Sequence, residues 1–458
     1  MHVESKPLWD RPEWTRRLWW GGIAVRLLTF WFLAPSNNDY HAGVIQYIVK
    51  YRRLPPTLTP HLPQAQHPPL YYLLASPWLA WSGSLKAVQL FSLACSIAAL
   101  SLLYRLICRE RLIESPQARF YSLLLVCFLP QFVMFSLYIS NDTLVFLLGA
   151  AAVFQAYRYI SAPGWKPLVL LSVVAGLGLS TKATFLAFVP PLLILIAVMG
   201  WTQIQAPQAI LRSLAFLGIV FVLGSYKFID NYVRYGRVSL NAMDFPSKPV
   251  DTMYYRGPIS FVDVNIARLL ASPVASPSTG GAYPVLLYGT FWYQHIPESN
   301  FTGNAYPRTR HIGVAIYALA AAPSAVFFLG LIALAAGLPR FLKNFRRHPD
   351  AARRLTVYLA AAVWLTCLAS LFITVAKYHW WPIMQGRYLF IAMIGGCGIF
   401  AAGVEMAERW RPAAVVLEAA MLALACLFLL YFSTEYSLVW LAKHPAAFRS
   451  VAPFLKGG

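Results

Sequence analysis

The chain has 458 residues, a formal net charge of +21, 59% hydrophobic residues, only 12% charged ones and a mean hydropathy of +0.56. A water-soluble fold of this length cannot hide so much apolar surface, so a soluble enzyme is excluded and a polytopic membrane protein is implied. Lys and Arg cluster in short segments between apolar stretches, which fits the positive-inside pattern and contact with anionic lipid rather than a nucleic-acid groove.

A membrane crossing needs about 20 mostly apolar residues. The first such stretch runs from Leu18 to Ala34 behind Arg11, Arg16 and Arg17, which predicts a cytoplasmic N-terminus. With no small-residue cleavage site, this span is expected to be a retained helix. The loop 35–86 then lies outside and carries Asn38-Asp39-Tyr40-His41 and Gln66-His67-Pro68-Pro69-Leu70-Tyr71-Tyr72. A carboxylate at the end of an apolar helix can stay solvated and ionised, so Asp39 can act as a base; it can equally be a loop residue or helix N-cap. Asp39, His41 and His67 could also supply ligands to a divalent metal, although their spacing is not diagnostic. Pro69 to Trp81 is short, apolar and aromatic, the pattern of a helix lying in the interface.

Further along, a span from Ala87 to Ile107 leads to an inner basic patch, Arg105, Arg109, Arg111 and Arg119. The next, about Phe120 to Ile139, returns outside at Ser140-Asn141-Asp142, where Asp142 is either a second active carboxylate or the cap of the following helix. After the turn Pro163-Gly164-Trp165-Lys166, an apolar run too long for one crossing divides at Ser180-Thr181-Lys182. This places Lys182 outside, either snorkelling or binding a phosphate. A span from Ile210 to Phe228 opens the largest outer loop, 230–310, whose piece Tyr283 to His295 reads as a second interfacial helix. The span Ile312 to Leu338 is followed by Arg340, Lys343, Arg346, Arg347, Arg353 and Arg354, a cluster that independently marks the inside. Leu355 to Ala376 then delivers His379, Trp380, Trp381 and Gln385-Gly386-Arg387-Tyr388 outside, where the Arg387 guanidinium suits bidentate phosphate binding. Spans from Tyr388 to Val404 and Ala413 to Phe432 complete a count of about eleven. The expected fold is an all-α polytopic membrane domain over 1–432, with a short outer tail over 433–458. The scattered Cys95, Cys108, Cys127, Cys367, Cys397 and Cys426 form no metal or disulfide pattern and read as small apolar fillers.

One rim thus collects Asp39, His41, His67, Asp142, Lys182, His379 and Arg387, with nearly all other charges also at the rims. Carboxylates and cations at an outer interface suit group transfer from a lipid-anchored phosphate. Lys or Arg would stabilise the leaving phosphate, and an Asp would deprotonate the acceptor hydroxyl. No Walker A loop or Rossmann fingerprint competes with that reading.

An Asp just after the first span, the run His67-Pro68-Pro69-Leu70-Tyr71-Tyr72, Ser140-Asn141-Asp142, the Gly-Leu-x-x-x-Thr-Lys pattern from Gly176-Leu177 to Thr181-Lys182, and Gln385-Gly386-Arg387-Tyr388 together resemble the GT-C glycosyltransferases, and within them the protein O-mannosyltransferase and aminoarabinose transferase type. The resemblance covers roughly residues 15 to 405. It implies a polyprenyl-phosphate-linked sugar as donor and a glycan, lipid or protein acceptor on the extracytoplasmic face of the plasma (bacterial inner) membrane. Asp39 then matches the catalytic carboxylate, Asp142 an acidic position of the second outer loop, and Lys182 and Arg387 cationic positions suited to the lipid phosphate. His67, Tyr72 and His379 are further candidates for contact with that substrate. The chain departs from the eukaryotic mannosyltransferases in having Asn38-Asp39 in place of a paired Asp-Glu. An envelope polysaccharide polymerase or ligase is the competing reading, and a lipid-linked substrate transporter the third.

Overall fold

A computed structural model describes residues 9, 11–33, 35, 40–59, 62–203, 206–240, 255–271, 281–293, 310–345, 350–379 and 383–434. Among them every regular element is helical. The first half holds α1 (Pro12–Phe32), α2 (His41–Tyr51), α3 (Leu70–Ser82), α4 (Leu85–Tyr104), α5 (Pro116–Phe128), α6 (Pro130–Phe135), α7 (Asn141–Ser161), α8 (Trp165–Thr181), α9 (Val189–Gln203), α10 (Ala206–Gly224) and α11 (Tyr226–Tyr235). Then follow α12 (Ala267–Ala271), α13 (Tyr283–Trp292), α14 (Arg310–Asn344), α15 (Ala351–Tyr378), α16 (Met393–Ala407) and α17 (Arg411–Phe432).

Eight stretches among the described residues are long and apolar enough to cross a membrane: Leu85–Arg109, Asn141–Ser161, Ala183–Gly200, Ala206–Gly224, His311–Asn344, Ala351–Tyr378, Gly386–Ala407 and Arg411–Phe432. A count of eleven would need three more segments, and each falls short for its own reason. The helix α1 carries Glu13, Arg16, Arg17 and Arg26 within 21 residues. Pro130 divides the next segment into α5 and α6, because proline has no N–H to continue the turn and its ring clashes with the one before. The third, α8, has only 17 residues against the ~20 of a full crossing.

Burial orders the bundle. The most apolar stretch of α7 is 72% buried and that of Gly386–Ala407 78%, against 22% for α10 and for His311–Asn344. The first two are therefore central, and the others turn Phe221, Val222 and Phe328 outward, where acyl chains can cover them. Between helices in lipid there is no hydrophobic drive to associate, so close packing relies on small residues. A Cβ on Gly149 of α7 would sit 2.0 Å from the Ile391 carbonyl oxygen, and one on Gly403 of α16 1.8 Å from that of Val326 in α14.

The apolar run after Trp165 breaks at Lys182, which is extended (φ −156°, ψ 132°) between α8 and the 3-10 turn Ala183–Phe188. Within the span from Tyr283, α13 buries Tyr283, Val285, Leu286, Gly289, Thr290 and Trp292. It holds the start of the Gly386–Ala392 turn through a hydrogen bond from the Gly386 amide to Thr290 Oγ1 (2.7 Å). Nearby, Asp263 pairs with Arg256 and with Arg268, and the hydrogen bond from Arg256 holds the Asp263 carboxyl below the usual carboxylate range.

One charge is not at a rim. Arg26 of α1 is fully buried in mid-helix and donates to Ser96 Oγ (2.9 Å), to the Gly22 and Cys127 carbonyls (3.1 and 3.0 Å) and to the Val126 carbonyl (3.1 Å). Pro130 has no N–H to offer Val126, so the guanidinium satisfies the carbonyls that the helix break orphans. Ser96 Oγ in turn lies 2.6 Å from Ser136 Oγ, which carries the network from α1 and α4 into the segment before α7.

Candidate active site

Four separate parts of the chain converge at the N-terminal end of α7. Ser140 caps that helix, its hydroxyl accepting from the Asp142 amide (3.2 Å), and this turns the Asp142 side chain into the first helical turn where the dipole favours negative charge. The α8 break delivers Lys182, whose ammonium pairs directly with Asp142 Oδ1. From the Gly386–Ala392 turn, Arg387 places Nη1 3.8 Å from Asp142 Oδ2, while Ser140 Oγ lies 3.4 Å from the same oxygen. Asn141 Nδ2 donates to the Thr181 carbonyl (3.3 Å), which pins the ends of α7 and α8 together.

The pair is deeply buried, with side-chain exposures of 7% for Lys182 and 3% for Asp142. Aromatic faces close it in. The Lys182 ammonium lies 4.9 Å from the Tyr388 ring centroid, and the Arg387 guanidinium 4.6 Å from that of Phe135 and 5.2 Å from that of Tyr388.

A second layer comes from the first loop. His41, at the start of α2, holds Tyr72 OH at Nδ1 (2.8 Å) and Ser140 Oγ at Nε2 (3.3 Å), so it joins α2, α3 and α7. His67 stacks on His41 with centroids 5.9 Å apart and planes 11° apart, and Tyr72 OH also donates to the Gln64 carbonyl (3.2 Å). Beside His67 and Tyr72 opens a cavity of about 350 Å³ whose charged wall is Arg53, Lys227, Asp230 and Arg234. Asp230 is bridged by Arg234 and faces Lys227 at 4.0 Å, which leaves the wall net cationic.

The structure thus brings together Asp142, Lys182, Arg387, His41, His67 and Tyr72. His379 is elsewhere: left-handed (φ 52°) at the end of α15, it stacks on Tyr255 at 3.9 Å, in the cluster with Phe261 and Tyr283. Asp39 lies outside the described residues. A metal at Asp39, His41 and His67 finds no support in the described part. Both His41 ring nitrogens are engaged by hydroxyls, and no group of three His, Cys, Asp or Glu is near enough to hold an ion among the described residues. The contributions of Arg26, Arg53, Lys227 and Arg234 were not read from the sequence. Two signals pointed to three of them, though not to Arg53: an arginine in mid-span, and the spacing Lys227, Asp230, Arg234, which puts three charges on one face of α11.

Removing one partner of a buried ion pair strands the other. Lys182→Met is expected to lower stability by about 3–5 kcal/mol, and Asp142→Asn combined with it to recover most of that loss. Thermal unfolding of the purified single and double variants reads the coupling, and simple additivity would show the pair to be unimportant.

Fold and cluster together define an integral membrane protein, all-helical in its described part, with a buried carboxylate–cation centre at one end of the bundle. Residues 66–226, roughly a third of the chain, match the model of the dolichyl-phosphate-mannose-protein mannosyltransferase family. That segment contains His67, Tyr72, Asp142 and Lys182, while Asp39 and Arg387 fall outside it. Among solved structures, the chain is similar to the archaeal oligosaccharyltransferase AglB from Archaeoglobus fulgidus in complex with an inhibitory peptide and a dolichol-phosphate, at 13% identity and a TM-score of 0.42 over 94% of this chain. It spans 56% of that protein's length. It is also similar to ArnT from Cupriavidus metallidurans bound to undecaprenyl phosphate, at 12% identity and a TM-score of 0.38 over 87% of this chain and 78% of the other. No curated protein matches the sequence.

Proposed function

We propose that the chain is a membrane glycosyltransferase that moves a sugar from a polyprenyl-phosphate donor to an acceptor hydroxyl on the extracytoplasmic face. The observation that carries this reading is the buried Asp142–Lys182–Arg387 cluster, tied through Ser140 and His41 to Tyr72 beside the cationic cavity. Cations fixed in a low-dielectric site are suited to a phosphate that gains charge as it leaves, and they need no reorganisation when it does. The match of residues 66–226 to a family named for a lipid-phosphate sugar donor supports the same chemistry.

In the proposed reaction Asp39 takes the acceptor's hydroxyl proton as the new O–C1 bond forms on the face opposite the leaving group. The C1–O bond to phosphate breaks, the electron pair leaves with the lipid phosphate, and the anomeric configuration inverts. Asp142 has Lys182 on one oxygen and Ser140 and Arg387 near the other, so its role is to set the two cations, and the role of base is assigned to Asp39. His67 and Tyr72 line the cavity through which the head group would approach.

The reading is tested by incubating the purified chain in nanodiscs with a panel of radiolabelled polyprenyl-phosphate sugars and an extract of bacterial envelope glycans, lipids and proteins as the source of acceptor. At least one donor is expected to be consumed with release of the lipid monophosphate. If every donor survives while the protein stays folded, the glycosyltransferase reading fails and the likeness is one of fold alone.

A further inference from the structure

The opposite end of the bundle holds a second cavity, of about 420 Å³, lined by Arg16, Trp19, Tyr104, Arg105, Arg109 and Glu110. Helices α1 and α4 run antiparallel here. Trp19 stacks on Tyr104 at 5.4 Å, whereas at the other end Lys86 donates to the Leu33 carbonyl (2.7 Å) beside the first loop. Fourteen residues of helix separate Trp19 from Leu33, about 21 Å along the axis, so this cavity is remote from Asp142.

Its charge is unbalanced. Glu110 is taken by Arg105, whose Nε donates to Oε1 (2.9 Å) and whose guanidinium also lies 4.6 Å from the Phe154 ring centroid. No hydrogen bond or ion pair engages Arg16 or Arg109 among the described residues, and the buried Trp19 Nε1 has no acceptor there either. The backbone is irregular at the same place: Arg105–Arg109 form a π-helical turn, closed by the Glu110 amide on the Arg105 carbonyl (2.9 Å). Such turns widen a helix locally and re-aim the side chains they carry, and they recur at functional sites. Running away from the cavity along α1 is an exposed apolar series, Trp20, Leu27, Leu28 and Trp31.

We propose that this cavity binds the phosphate head group of an anionic phospholipid, with Arg16 and Arg109 on the phosphate and the acyl chains laid along α1. Guanidinium matches phosphate oxygens bidentately, and Trp19 and Tyr104 are the residue types that settle at head-group depth. The apolar series selects a lipid over free phosphate, because only a lipid brings chains to cover it.

The test is native mass spectrometry of the full chain in detergent, titrated with phosphatidylglycerol, phosphatidylcholine or inorganic phosphate, for the wild type and for Arg16→Ala/Arg109→Ala. Each arginine near a lipid phosphate contributes about fivefold in affinity. The double substitution is thus expected to weaken phosphatidylglycerol binding by between about fivefold and 25-fold, down to the phosphatidylcholine level. Both side chains are exposed, so the unfolding temperature without lipid is expected to stay unchanged. Should the double variant nevertheless unfold, Arg109→Gln alone carries the test, with about a fivefold loss expected. The proposal is overturned if wild type binds both lipids equally, if inorganic phosphate competes phosphatidylglycerol away at equal concentration, or if a folded variant binds phosphatidylglycerol as wild type does.

Discussion

Asp39→Asn is expected to slow sugar transfer by about 10²- to 10⁴-fold, the usual contribution of a positioned general base, with little change in KM for the donor. Asparagine keeps the size of the side chain and removes its capacity to take a proton. His41, two residues further along the chain, is buried, with Nε2 3.3 Å from Ser140 Oγ, and Ser140 contacts Asp142. Steady-state kinetics on folded protein decide the matter. Full activity in the Asn variant would move the base elsewhere, and Asp142 would be the next carboxylate to test. A rise in KM at constant kcat would make Asp39 a binding group instead.

Arg26→Met is expected to destabilise the protein by about 2–5 kcal/mol, although the guanidinium's hydrogen-bond partners are carbonyl and hydroxyl oxygens rather than a carboxylate. Methionine fills much of the volume but leaves the Val126 and Cys127 carbonyls and Ser96 Oγ without their donor in a dry interior. Leaving such a group unsatisfied costs about 1–3 kcal/mol, partly offset because no charge is buried any longer. Lysine does not replace it, since one ammonium cannot reach the Val126, Cys127 and Gly22 carbonyls and Ser96 together. The effect should reach the active end as well. With Ser96 no longer held, the Ser96–Ser136 bond loosens, and with it the segment that positions Ser140. Thermal unfolding in detergent measures the first effect and donor turnover the second. A variant as stable as wild type would mean that water replaces the guanidinium.

Much of the fold was legible because hydropathy and charge act locally along a membrane-spanning chain. The apolar runs beginning near Ala87, Ile210, Ile312, Leu355 and Ala413 each coincide with a helix long enough to cross, and the break at Ser180-Thr181-Lys182 falls where the long run must turn. The candidate residues Asp142, Lys182, Arg387, His41, His67 and Tyr72 were identifiable one by one, as polar groups at the ends of apolar runs. Spacing along the chain could not reveal that Lys182 and Arg387 meet the same carboxylate. The contacts close over 40 residues in one case and more than 200 in the other, and only the packing of α7 between α8 and the Gly386–Ala392 turn sets them.

Composition and the order of apolar and charged runs by themselves determined that this is a helical membrane protein and which of its polar residues stand at helix ends. Those properties follow from the transfer energy of each segment between water and lipid, a sum over neighbouring residues. Tertiary structure alone decided that Asp142 is paired, that His379 stacks on Tyr255 away from the cluster, and that Arg26 repairs the break at Pro130. Each of these depends on which distant segment arrives to satisfy a buried charge or carbonyl, and that is set only when the helices pack.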